Sequence, residues 1–294
     1  MTAAPVPGGT SRQLTFPGGS LHVADHPGTE PAVVAMHGFP DDSHIYDRLV
    51  SHLAPRRVIA FDWLGYGRSG RRTTQAADSP ARQRELAAVL DGLTLDQVVL
   101  IGHDSSGPEA VDFTLDHPGR VRAVILLNTY FGRSPTLRFP EMIALMADPA
   151  YQALTDALLG DELQRLWLLQ HSATQMGMEP GDPTGIAAVS IVPQFFGSAA
   201  APDALAEIRA WTADLPRALD RQDRRIAAGQ LATLQVPVTV AFGTGDQYLN
   251  PDLARHLAGL FGQARLHLID GAGHWPQWDQ PAAVAGMVRK TLAQ

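Results

Sequence analysis

Five short apolar runs, Val33–Met36, Val58–Phe61, Val98–Ile101, Val121–Leu127 and Val236–Phe242, constrain this chain more than any other feature. Each is brief and rich in β-branched or large apolar residues, as expected of strands buried on both faces. Helical patterns separate several of them. Ser79-Pro80 reads as an N-cap followed by proline at the first helical position, and Leu86, Val89, Leu90 and Leu93 then share one face at i, i+3, i+4 and i+7. Strands alternating with helices predict an α/β fold built on a mostly parallel sheet.

The alternation stops between Gly132 and about Thr233, where Pro, Met and aromatic residues accompany several helical patterns. This predicts a helical cap over residues 132–232, inserted into a core made of 1–131 and 233–294. A chain of 294 residues is long enough for such a core with an insertion. Tyr151, Trp167, Met176, Met178, Phe195, Phe196 and Trp211 lie in the cap. Taken singly, each reads as core packing under a lid. Together they imply an apolar substrate pocket, to which Trp167, Phe195, Phe196 and Trp211 are assigned.

Composition narrows the chemistry. The chain has no cysteine, which excludes disulfide scaffolds, thiolate zinc sites, iron–sulfur centres and cysteine nucleophiles. Its net charge of -7 is spread without a block of like charges, which argues against nucleic-acid or polybasic membrane surfaces. Residues Met1–Gln13 lack the apolar run of a secretory signal, and no stretch is apolar enough to span a bilayer. The expectation is a soluble, cytoplasmic protein acting on a small apolar organic substrate and water, with a homodimer left open. No HExxH or comparable histidine spacing points to a metal. Gly65-Tyr66-Gly67-Arg68-Ser69-Gly70 formally matches a dinucleotide fingerprint, but the polar stretch after it does not read as the helix that would hold a pyrophosphate. No cofactor is therefore expected.

The segment Gly102-His103-Asp104-Ser105-Ser106-Gly107 follows the strand Val98–Ile101 and precedes a plausible helix, Pro108–His117. A sharp strand-to-helix turn needs small residues on both sides of its apex. Gly102 and Ser106 meet that spacing around Asp104, whereas an apex at Ser105 would put His103 in a small-residue position. Asp104 is thus the candidate nucleophile.

Here the sequence resembles the α/β-hydrolase family, in its branch with an aspartate nucleophile: epoxide hydrolases and haloalkane or fluoroacetate dehalogenases. His37-Gly38-Phe39-Pro40 looks like the oxyanion loop, Asp62-Trp63-Leu64-Gly65-Tyr66-Gly67-Arg68-Ser69 like the family's next loop, and the elbow at Asp104 follows in order. The resemblance implies a cis Phe39–Pro40 peptide, an oxyanion hole from the backbone N–H groups of Phe39 and Ser105, and a pocket that includes His37 and Tyr130. It also places the remaining triad members at Asp246, after the strand Val236–Phe242, and at His274, after the run Leu266–Ile269. In some relatives the acid follows the preceding strand, where this chain has Asn128. Asn cannot supply the charge that stabilises an imidazolium, so Asp246 keeps the role.

A carboxylate on the elbow suits displacement at saturated carbon, forming an alkyl ester that a water activated by His274 then hydrolyses. The resemblance implies an epoxide or carbon–halogen substrate. Epoxide hydrolases protonate the opened oxygen with cap tyrosines, and Tyr151 looks like the first of a pair; Thr212 stands where relatives tend to carry another, and Tyr130 or Tyr248 could substitute. Dehalogenases hold the halide with N–H donors, yet Ser105 and Phe39 occupy the usual donor positions, leaving Trp167 or Trp211. Epoxide hydrolysis is the leading expectation and dehalogenation the runner-up. Another hydrolase reaction, or a non-catalytic ligand-binding protein with the same pocket, stands behind them.

Overall fold

The computed structural model describes residues 9–72, 77–178, 185–186 and 204–293. Eight strands form one sheet in the order β1-β2-β4-β3-β5-β6-β7-β8. They are β1 Thr10–Phe16, β2 Gly19–His26, β3 Thr29–Met36, β4 Arg56–Phe61, β5 Val98–Asp104, β6 Val121–Thr129, β7 Val238–Gly243 and β8 Ala264–Ile269. Each expected run marks a strand, the last beginning at Val238 rather than Val236, and β3 to β8 pair in parallel. The two strands that no apolar run announces, β1 and β2, form an antiparallel hairpin, with β2 antiparallel to β4. Strand β1 is mostly exposed, as an edge strand should be, and so carries no buried run to detect.

Parallel neighbours need crossover helices. Helix α1 (Ser79–Gly92) links β4 to β5, α2 (Ser106–Asp116) links β5 to β6, α3 (Pro251–Gly259) links β7 to β8 and α4 (Pro281–Leu292) closes the chain. Leu86, Val89 and Leu90 of α1 are fully buried and Leu93 nearly so, as their spacing predicts. The N-cap of α1 is not Ser79 but Asp78, whose carboxylate accepts the Ala81 N–H, so Pro80 lies one position further into the first turn. Asp and Ser are equally good caps, and the Ser79 hydroxyl turns inward instead, to Glu109.

Between β6 and β7 the described elements are helical: Glu141–Ala147, Gln152–Gly160, Glu162–Gln175 and the long Ala204–Ala227. The last of these is fastened to the core. Glu207 pairs with Arg72, Arg225 pairs with Asp112 and Asp116, Gln222 accepts the Gly132 N–H, and Trp211 stacks on Phe39 with ring centroids 4.2 Å apart.

The order of connections reverses at β3, from which the chain passes to β4 on one side and then to β5 on the other, all three strands running parallel. In open α/β sheets such a switch point opens a crevice at the carboxyl ends of the strands. The carboxyl ends of β3, β5, β6, β7 and β8, with the loops that follow them, bring Phe39, Asp104, Asn128 to Tyr130, Asp246 and His274 to that edge. No helix among the described residues is long and apolar enough to cross a membrane.

Candidate active site

Asp104 sits at the end of β5 with φ of 50°, in the left-handed region that side chains other than glycine seldom adopt. Such strain persists only where neighbours fix it. Ser106 Oγ accepts the His103 N–H at 2.8 Å and donates to the Met36 carbonyl at 2.7 Å, while the Thr129 hydroxyl donates to the Asp104 carbonyl. A Cβ at Gly107 would collide with Thr129 Oγ1, so the turn closes only with glycine there. Helix α2 begins at Ser106, earlier than the Pro108 its sequence pattern suggests, and its N-terminus favours negative charge at Asp104.

The candidate oxyanion loop lies against Asp104. The Phe39 N–H donates to Asp104 Oδ1 at 2.8 Å, and the Ser105 N–H adds a second hydrogen bond to the carboxylate. The Phe39–Pro40 peptide is cis, as expected. A Cβ on Gly38 would collide with that of Asp104, which is why only glycine lets this loop come so close. Burial pushes the Asp104 carboxyl upward in pKa, opposed by the charge of His274 and by these backbone donors.

His274 Nδ1 is 2.6 Å from Asp246 Oδ2, and its Nε2 is 4.0 Å from Asp104 Oδ2. Burial alone would lower the imidazole's pKa, but the charge and hydrogen bond of Asp246 outweigh it and bring it to about 9, with Asp104 and Asp41 contributing. Asp246 is held in turn: its Oδ1 accepts the N–H groups of Tyr248 and Leu249, and its Oδ2 accepts Asn128 Nδ2–H at 3.1 Å. Asn128 also accepts the Gly243 N–H at 2.7 Å. Its amide thus positions the candidate acid, Asp246.

A second layer has no counterpart among the sequence motifs. His103 Nε2–H donates to the His274 carbonyl at 2.8 Å, its Nδ1 lies 3.5 Å from Asp41, and Asp41 accepts the Trp275 indole N–H at 3.1 Å. Asp41 is fully buried, and although burial works against its ionisation, its His103 and Trp275 partners hold its carboxyl below the usual range. Its position beside the oxyanion-loop motif and that of His103 beside the nucleophile are the only sequence signals for the pair.

Other assigned residues divide. Tyr130 is buried, and burial together with the nearby charge of Asp104 raises the pKa of its hydroxyl. It shares with Ser105 and Trp211 a small cavity beside the elbow. His37 is not a pocket residue: its ring is fully buried, accepting the Trp63 N–H on Nε2 and donating from Nδ1 to the Gly38 carbonyl, so it braces the loop from beneath. Tyr151 is 49% exposed, and no hydrogen bond joins its hydroxyl to the triad among the described residues; being on the cap, it turns to solvent. Trp167 is likewise exposed and stacked on His171. The Tyr248 hydroxyl donates to Glu141. Phe195 and Phe196 lie outside the described residues. The glycine-rich stretch 65–70 wraps the buried Asp62 carboxylate, which accepts the Arg68 and Ser43 N–H groups, and opens no helix among the described residues.

Residues 31–281 match the alpha/beta hydrolase fold family. "Haloalkane dehalogenase 2" of Mycobacterium tuberculosis is 32% identical over 143 residues, 48% of this chain and 50% of that protein. "Bifunctional epoxide hydrolase 2" of Sus scrofa is 26% identical over 296 residues, 92% of this chain and 52% of that protein. The chain thus spans about half the length of these curated relatives. The solved structure of the epoxide hydrolase CorEH superposes with a TM-score of 0.73 at 19% identity, covering 97% of this chain and 99% of that one. With the sheet order and the strand-to-helix elbow in agreement, this chain belongs to the α/β-hydrolase family.

Proposed function

We propose that this chain is a hydrolase that opens epoxides to vicinal diols through an alkyl ester on Asp104. With Asp104 Oδ1 engaged by the Phe39 N–H, Oδ2 is the attacking oxygen. It bonds to one oxirane carbon as that carbon's C–O bond breaks, and the alkoxide takes a proton from Tyr130. Water then attacks Cγ of the ester as His274 accepts its proton, and the negative charge gathers on Oδ1, beside the backbone donors of the oxyanion loop and elbow. The intermediate collapses by expelling the former Oδ2 in the diol, which takes the proton back from His274, while the oxygen of water stays in Asp104 and the proton left on that carboxyl restores Tyr130. Alkylation also cancels one of the charges that hold up the pKa of His274, favouring the neutral imidazole which the second step needs.

The observation carrying the epoxide over the halide is the disposition of the indoles and Tyr130. Halide departure calls for convergent N–H donors, but Trp63 donates to the His37 carbonyl, Trp275 to Asp41, and Trp167 is exposed. Tyr130, in contrast, is buried beside Ser105 within the field of Asp104. Tyr130 replaces Tyr151 as the proposed acid. Dehalogenation remains the second reading because Trp211 stacks over Phe39 and could present one donor.

The test is intact-protein mass spectrometry of His274→Gln after incubation with matched panels of epoxides and haloalkanes. A gain of the whole substrate mass identifies an epoxide hydrolase. A gain of substrate less hydrogen halide identifies a dehalogenase. Ligand binding without an adduct on Asp104 from either panel overturns the ester mechanism in favour of a binding protein.

A further inference from the structure

We infer that the substrate carries a hydroxyl group next to the attacked carbon and that this hydroxyl seats in the polar cavity between Ser105, Glu109 and the cap helix over 204–227. The inference builds on Asp104 as the reacting group. The cavity has a volume of about 10 Å³, the space of a single oxygen atom with its hydrogens. Ser79, Ser105, Glu109, Tyr130, Trp211 and Gln222 line it, so core and cap each supply a wall.

Several of its polar groups are already committed. Glu109 Oε2 accepts the Ser79 hydroxyl at 2.9 Å and the Gln83 amide, and Gln222 accepts the Gly132 N–H at 2.8 Å. Ser105 Oγ is not: the residue is 2% exposed, and this oxygen has no hydrogen-bond partner among the described residues. Buried hydroxyls left in that condition are costly, and they discriminate strongly in favour of a ligand that satisfies them. No cationic side chain among the described residues lines the cavity, whereas the carboxyl groups of Glu109 and Asp214 do, so an anionic substituent is unsuited. Burial, reinforced by the nearby Asp112, pushes the Glu109 carboxyl up to about 8, which makes it a donor as well as an acceptor near neutral pH. A neutral hydroxyl, donor and acceptor at once, matches both Ser105 and Glu109.

Ser105 directly follows Asp104 in the chain, and a hydroxyl on the carbon adjoining the oxirane is the shortest substituent we assign to its Oγ, which makes the class a 2,3-epoxy alcohol.

The experiment compares kcat/KM for glycidol and 1,2-epoxybutane, in which a methyl group replaces the hydroxyl, and for 2-bromoethanol and 1-bromopropane. Each pair is run with wild type, Ser105→Ala, which keeps the backbone N–H, and Glu109→Gln. The wild type is expected to favour the hydroxylated member, and Ser105→Ala to lower that preference about tenfold. Reaction of the bromides alone would refute epoxide opening while still deciding the subsite by its own ratio. If neither pair reacts, NMR titration of 1,3-propanediol against 1-butanol reads the same preference without turnover. A preference absent in wild type, or unmoved in both variants, overturns the inference.

Discussion

Asn128→Asp places a second carboxyl against the triad acid and gives a sharp test of how Asp246 is held. In the native site Asn128 Nδ2 lies 3.1 Å from Asp246 Oδ2 and within reach of the Gly243 and Leu249 carbonyls, while its Oδ1 accepts the Gly243 N–H. The introduced carboxyl keeps that last bond but turns its other oxygen toward three acceptors. Two unit charges at this separation repel by about 5 kcal/mol at an effective dielectric constant of about 20, or nearly four pKa units. The pair therefore retains one proton at neutral pH, as like-charged carboxyls in one site do. A raised folded-state pKa costs nothing below the unfolded value of about 4 and costs progressively more above it. Urea denaturation of wild type and variant at pH 5 and pH 8 should thus show a stability gap that widens from roughly 1–2 to about 5 kcal/mol, while the gap for Asn128→Ala stays constant with pH. A gap for Asn128→Asp that does not move with pH would refute the placement of this side chain on the acid.

Other perturbations probe the remaining parts. Tyr130→Phe should slow epoxide opening by about 10²-fold or more, with Tyr151→Phe close to wild type, measured as single-turnover ester formation; the reverse ranking would return the acid to the cap. Gly107→Ala, whose Cβ would collide with Thr129 Oγ1, should destabilise the fold by about 3 kcal/mol, and Thr129→Ala should recover part of that loss in thermal melts. The folded-state pKa of His274, raised to about 9, means that its pairing with Asp246 stabilises fully below about pH 6.5 and is lost as pH rises through about 9. The stability difference between wild type and Asp246→Asn should accordingly shrink between about pH 6.5 and about pH 10.

The elbow is legible in the sequence because its constraint is steric and local. Gly102 is small because the turn at Ser106 and Gly107 folds back onto it, and the buried strands announce themselves by apolar runs. That Asp246 and His274 come together is legible from their order after strands, read through the family resemblance. What the sequence hides depends on contacts between distant segments. Whether a tyrosine is buried beside the elbow or turned to solvent depends on which distant segments cover it, which separates Tyr130, just after β6, from the half-exposed Tyr151. His37 has the sequence position of a pocket residue because its motif borders the oxyanion loop, yet its two ring nitrogens are consumed by Trp63 and Gly38. The pairing of Asp41 with His103, far apart in the chain, leaves no local pattern at all.

The cap is also joined to the triad by main-chain bonds. The His274 N–H donates to the Met176 carbonyl at 2.9 Å and the Gln247 N–H to the Gln175 carbonyl at 3.0 Å, at the end of the helix over 162–175. Because these ties involve no side chain, substitutions at Met176 and Gln175 leave them intact, and the cap surface can diversify without loosening the catalytic loops. The same ties couple the two mechanically: a cap that swings outward at this point must either break both bonds or carry the His274 and Asp246 loops with it. Access to the pocket is therefore expected to come from the other end of the cap, leaving this junction as the fixed hinge post around which new substrate ranges can be built.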